Sequence, residues 1–142
     1  MTGIQIREFA YPADYQAALD LWETAGTGVH VGQSDSPAEI EKKLQRDSDL
    51  FLVAMDAGQL VGTVMGAFDG RRGMVYHLAV ARAYRRKGIA SRLMVEVERR
   101  LREKGCVKAY LLVRPDNDGA VAYYEAMGWS VADDIVLFRE FK

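Results

Sequence analysis

The stretch "HLAVARAYRRKGIASRLM", residues 77–94, runs from an apolar strand through a cationic turn into a helix. Its first half completes "GMVYHLAV" (73–80), a β-type run. From Ile89 the period changes. Ile89, Leu93, Val97 and Leu101 recur every four residues, and Met94 joins their stripe, as on an amphipathic helix. Lys104 and Gly105 end that helix, and "VKAYLLV" (107–113) reads as a strand again. A strand–helix–strand crossover places its two strands parallel or nearly so.

Upstream, "IQIREF" (4–9) alternates as an opening strand, and "YPADYQAALDLWETAG" (11–26) carries Ala18, Leu19, Leu21, Trp22 and Ala25 at helical spacing with Gly26 as a stop. "TGVHVGQSDS" (27–36) is glycine-rich and irregular. "SPAEIEKKLQRD" (36–47) opens with a capping box: Ser36 at N-cap, Pro37 at N1 and Glu39 at N3. "LFLVAMDAGQLVGTVMGAF" (50–68) is two β runs joined by a hairpin signal, "DAGQ", and "DGRRG" (69–73) is a second turn. Three strands joined by short turns form an antiparallel meander. Downstream, "DNDGAVAYYEAMG" (116–128) reads as a short helix and "WSVADDIVLFREF" (129–141) as a final strand.

The expected order is β-α-α-β-β-β-α-β-α-β. This is an α/β (α+β) fold with a mixed, mostly antiparallel central sheet of about six strands and helices on both faces. No internal repeat or linker divides the chain, so residues 1–142 are expected to form a single domain.

Nineteen basic and twenty acidic side chains nearly cancel, so any basic site must be local. The single cysteine, Cys106, excludes an internal disulfide and fits a small hydrophobe near a strand start. "MTGIQIREF" has no apolar leader and no run approaches a membrane span, so a cytoplasmic protein is expected. No His/Cys/Asp cluster has metal-ligand spacing, so no metal is expected. The arginines at 92, 99, 100 and 102 alternate with Glu96, Glu98 and Glu103, which gives a mixed surface and argues against a nucleic-acid partner.

The cationic turn is the candidate site. A helix N-terminus leaves backbone N–H groups unpaired and carries partial positive charge. Gly88 and Ala90 keep side chains out of the way, and Arg85, Arg86 and Lys87 add full charges at the same point. Such a turn can cradle a phosphate; it can also be a solvated charge run. It is neither a GxxxxGK[ST] loop nor a GxGxxG fingerprint.

The pattern [RQ]xxGx[GA], here Arg85-Arg86-Lys87-Gly88-Ile89-Ala90, resembles the pyrophosphate-binding motif of the GNAT superfamily N-acetyltransferases. "NDGAVAYYEAMGW" resembles that family's N-x-x-A-x-x-x-Y-x-x-x-G-[FW] segment at Asn117, Ala120, Tyr124, Gly128 and Trp129. Through "DLFLVA" and "LVGTVMGAFDGRRG" the chain is most similar to small, single-domain bacterial members of the YpeA type. The resemblance implies transfer of an acetyl group from acetyl-CoA to a primary amine of a small molecule or peptide. A module that binds CoA without catalysis is the alternative.

The same resemblance implies that the backbone of Leu78, Ala79 and Val80 pairs with the pantetheine arm. It implies that N–H groups from Arg86 through Gly88, Ile89 and Ala90 to Ser91 hold the pyrophosphate, and that Asn117 lies on or near the pantetheine. Arg85, Arg86, Lys87 or Arg82 could reach the remaining phosphate. Tyr124, which also touches the cofactor, would protonate the departing thiolate. Tyr123 would pack. The family's usual glutamate base is missing from "GMVYHLAV" and "YLLVRP". His77, Tyr76 through an ordered water, Glu23, Asp69 and a water chain to solvent are the alternatives. Trp22, His30, Asp35 and Asp69 could line a pocket for a cationic amine, with the 24–36 loop as the variable wall. The protein could be a monomer, or a homodimer formed through its last strand.

Overall fold

The computed structural model describes residues 3–24, 29, 31–117 and 119–141. Ala25, Gly26 and His30 fall outside them. Five strands, β1 (Ile4–Glu8), β2 (Phe51–Asp56), β3 (Gln59–Phe68), β4 (Gly73–Val80) and β5 (Ala109–Leu111), lie side by side in chain order. The first four pair antiparallel, and β5 pairs parallel to β4. The helices are α1 (Tyr15–Thr24), α2 (Pro37–Asp47), α3 (Ile89–Glu103) and α4 (Ala120–Ala126).

Alternation along the strands sorts the core into two layers. Leu50, Leu52 and Ala54 face Leu93, Met94, Val97 and Leu101 of α3. Phe51 and Val53 face Ala18, Leu21 and Trp22 of α1 and Ile40 of α2. Helices therefore cover both faces. Each fully buried Leu, Val or Phe contributes about 1.5–3 kcal/mol, which holds the helices on the sheet. α3 packs close because β3 carries glycine where it crosses: a Cβ on Gly66 would stand 2.8 Å from Val97 Cγ2.

The local signals act as expected. Ser36 Oγ accepts from the Glu39 N–H at 3.4 Å and caps α2, with Pro37 in the first turn. Ala57 and Gly58 both take positive φ in the β2–β3 hairpin. Gly105, at φ +94, ends α3, and the Cys106 N–H returns to the Leu101 carbonyl.

Two expectations are corrected. The sheet has five strands instead of about six. Residues 129–141 form no strand although their pattern is β-like, and Ile135, Leu137 and Phe138 are almost fully exposed. A β pattern is realised only where backbone partners exist, and no strand of the sheet pairs with this segment. The expected 107–113 strand shortens because β4 and β5 pair only at Gly73–Ala109, Met74–Tyr110 and Val75–Leu111.

Candidate active site

That short pairing creates the site. Beyond Val75 the two parallel strands separate, and β4 also departs from its other neighbour's register. Thr63 pairs with Ala79 and Met65 with Tyr76, so β4 holds one extra residue there. His77 absorbs the bulge at φ +52, a backbone conformation non-glycine residues rarely take. A pocket of about 50 Å³ opens at the split, lined by Tyr76, His77, Leu78, Asn117 and Tyr124 among others. Five sequence-expected site residues thus share one cavity wall.

His77 is held on several sides. Its Nε2 lies 2.7 Å from Asp35 Oδ1, in the short turn before α2. Its carbonyl accepts from Thr63 Oγ1 at 2.8 Å, and that hydroxyl accepts from Trp22 Nε1 at 2.9 Å. The Trp22 ring stands edge-on to the imidazole, with centroids 4.6 Å apart. Asp35 is buried, which alone would raise its carboxyl. The hydrogen bond and charge of His77, with the Gly32 N–H, outweigh burial and leave it below the usual carboxylate range. The Tyr15 hydroxyl donates to the Asp35 carbonyl at 2.7 Å and fixes the turn.

Opposite stands Tyr124 on α4. Burial, reinforced by neighbouring Tyr123, pushes its hydroxyl up to about 12, so it is a proton donor at neutral pH. That hydroxyl makes no hydrogen bond to another described residue. Tyr123 does more than pack: its hydroxyl lies 3.1 Å from Ser91 Oγ and ties α4 to the start of α3. Asn117 is a turn residue, its N–H on the Arg114 carbonyl and its carbonyl accepting from the Ala120 N–H.

The cationic turn has the geometry of an anion cradle. Arg86 and Gly88 both take positive φ, at +62 and +81. The Arg92 N–H closes the first helical bond, onto the Gly88 carbonyl. The N–H groups of Ile89, Ala90 and Ser91 therefore have no intrahelical acceptor and point out of the helix end. Nothing stands within 4 Å of a Cβ placed on Gly88, so the loop mouth is open. Arg85 turns back, its Nε on the Val80 carbonyl at 3.1 Å, and Lys87 lies over the Tyr84 ring. Arg82 donates to the Thr24 carbonyl. Backbone donors, positive charge and a β4 edge that β5 leaves unpaired beyond Val75 together fit a ligand with a pyrophosphate and an amide-bearing arm.

Other candidates sit elsewhere. Trp22 is buried behind His77. Glu23 is an exposed α1 residue, and Asp69 accepts two backbone N–H groups, from Arg71 and Arg72, in the β3–β4 turn. On α3, Glu96 pairs with Arg99 and Arg100, and Glu98 with Arg102. No group of His, Cys, Asp or Glu among the described residues could hold a metal. Among the described residues, no helix is long and apolar enough to cross a membrane. Sequence reasoning missed the His77–Asp35 pair, because forty-two positions separate its members and no motif joins them.

The acetyltransferase (GNAT) family profile matches residues 15–129. An acetyltransferase of Sodalis glossinidius is 40% identical over 134 residues, 94% of this chain and 92% of its own. One of Pectobacterium atrosepticum is 41% identical over 124 residues, covering 87% and 86%. Among solved structures, Ard1 from Thermoplasma volcanium superposes with a TM-score of 0.79 at 27% identity, covering 92% of this chain and 84% of that one. The PaiA N-acetyltransferase of Thermoplasma acidophilum, solved with coenzyme A, shares the fold at TM-score 0.79 and 20% identity, over 93% and 92% of the chains. This chain therefore belongs to the acetyltransferase (GNAT) family of enzymes.

Proposed function

We propose that the protein moves an acetyl group from acetyl-CoA to a primary amine by direct attack on the thioester. The observation that carries this is the pocket at the β4–β5 split, where Tyr124 and His77 face one cavity beside the open α3 loop. Acetyl-CoA supplies the activated acyl group. The loop N–H groups from Arg86 to Ser91 hold its pyrophosphate, and the edge at Leu78, Ala79 and Val80, with Asn117, receives its arm. Arg86 and Lys87 are the side chains we assign to its remaining phosphate, because Arg85 and Arg82 donate to the Val80 and Thr24 carbonyls.

His77, oriented by Asp35, takes a proton from the incoming amine as nitrogen bonds to the acetyl carbon. The C–S bond breaks with its electron pair on sulfur, and Tyr124 delivers a proton there. The amine's proton replaces the one Tyr124 loses, so one thiol leaves for each amide formed. Tyr76, at the same wall, orders water for that return. The test is amine-dependent release of CoA thiol by the purified protein. Release that rises with acceptor concentration and yields an N-acetyl product supports the reading; binding of acetyl-CoA without release for any amine would leave a non-catalytic CoA-binding module. We further take residues 1–142 as a single cytoplasmic domain that works without a metal.

A further inference from the structure

A second, larger cleft of about 600 Å³ lies on the α2 side of the sheet, between α2 and the start of β4 and β5. Strand alternation explains its place: Val75 points into the α3 layer, so Met74 and Tyr76 point the opposite way. Tyr76 lines both this cleft and the small pocket. A molecule in the cleft therefore reaches the split past Tyr76, from the sheet face opposite α3.

The cleft's charges are unequal. Lys43, Arg46 and Arg72 face Asp47 and Asp69. Asp47 is buried and paired with the half-buried Lys43 at 3.2 Å, which also donates to the Gly66 carbonyl; Arg46 Nε reaches the same carboxylate only at 3.7 Å. Asp69 is engaged by the two N–H groups of its own turn. Arg46 is largely exposed and spends one nitrogen on the Phe68 carbonyl. Arg72 has no carboxylate partner among the described residues: its Nη1 donates to the Tyr110 hydroxyl at 2.9 Å, and its guanidinium lies 5.7 Å from the centre of that ring. Held against Tyr110, its other nitrogens form a ready fork for a planar anion.

Resting on the acetyltransferase reading above, we propose that this cleft seats the acceptor, and that the acceptor carries a carboxylate bound by Arg72 and Arg46. Tyr110 is paired with Met74, two residues from Tyr76. At about 3.3 Å per residue, the Met74–Tyr110 pair stands roughly 7 Å along the strand from Tyr76, and the guanidinium lies against the Tyr110 ring at that end. The amine and carboxylate are therefore several bonds apart, farther than in an α-amino acid. Of the residues expected to line a pocket for a cationic amine, Asp69 lines this cleft with its carboxylate held by its own turn, and the Asp35 carboxylate is held by His77.

The test compares 6-aminohexanoate with 6-aminohexanamide, hexylamine and glycine as acceptors, by CoA release. The acid is expected to exceed the amide and hexylamine at least tenfold in kcat/KM, and glycine by more. In Arg72→Gln the acid-over-amide ratio falls below about threefold, whereas Arg72→Lys keeps part of it; calorimetric CoA binding by each variant checks that it is folded. Equal or better use of the amide, a ratio unchanged in Arg72→Gln, or no turnover of the acid by a protein that acetylates other amines would overturn the assignment. A protein that binds no CoA at all would instead sink the acetyltransferase reading itself.

Discussion

The His77 imidazole and the Asp35 carboxylate lie 2.7 Å apart at the point where β4 bulges away from its neighbours. One comes from a strand, the other from a turn before α2. Thr63 and Trp22 hold the strand side, and Tyr15 and Gly32 hold the turn side. A histidine oriented by a buried carboxylate, in a wall that also contains a protonated tyrosine, is an arrangement for moving protons.

His77→Gln is expected to lower kcat about 10²-fold or more at neutral pH, with calorimetric acetyl-CoA affinity unchanged. The deficit should shrink as pH rises toward the amine's own value near 10, because the acceptor then arrives neutral. Asp35→Asn should give a smaller loss in the same direction. A pH–rate series on the two variants checks this, and a loss that stays constant to pH 10 would argue that His77 only shapes the bulge.

Burial pushes the Tyr124 hydroxyl up to about 12, so the donor stays protonated across the working range. The rate should show no alkaline decline below pH 10 that belongs to this residue. Tyr124→Phe keeps the ring packing and removes the proton. We expect a 10- to 10³-fold fall in kcat with little change in melting temperature. A decline between pH 8 and 10 that vanishes in the variant would contradict the assignment.

Gly66→Ala places a methyl 2.8 Å from Val97 Cγ2 and 3.4 Å from Leu50 Cβ, between the sheet and α3. Overpacking there should cost about 1–3 kcal/mol, read in a urea titration. The paired change Gly66→Ala with Val97→Ala should recover part of it. Additive losses would show that the close approach of α3 to Gly66 is not what limits the site.

Glu96 is held down to about 2 by hydrogen bonds from Arg99 and then Arg100. Its folded value lies below its unfolded value near 4.3. Its stabilising contribution is therefore present above about pH 4.5 and is lost as pH falls toward 2. Stability measured from pH 5 to 2.5 should fall less steeply in Glu96→Gln than in the parent. Asp35, also below its usual range, adds to the same acid limb.

Much of this fold is legible in the chain because its signals are local. The Ser36 cap, the Ala57–Gly58 hairpin, the four-residue stripe of α3 and its Gly105 stop each depend on neighbours within one turn. The crossover from β4 to β5 follows from the strand–helix–strand order alone. What could not be read depends on distant partners. The β-like pattern at 129–141 meets no strand, and the pairing of β5 ends at Leu111, opposite Val75 and just before the bulge in β4. The site divides the same way. The loop at Arg86–Gly88 carries its glycine and cations in one hexapeptide, whereas Asp35, Thr63 and Trp22 reach His77 only through the folded sheet. Arg72 and Tyr110, thirty-eight positions apart, meet across the β4–β5 pair.

The most direct measurement is isothermal titration of the protein with acetyl-CoA and CoA, set beside Gly88→Glu. At φ +81 a side chain strains the loop, and the carboxylate adds negative charge where the N–H groups point, while open space around the position spares the core. The account predicts saturable binding of both ligands by the parent, at least 10²-fold weaker in the folded variant. Equal binding by parent and variant, or none by the parent, would contradict it.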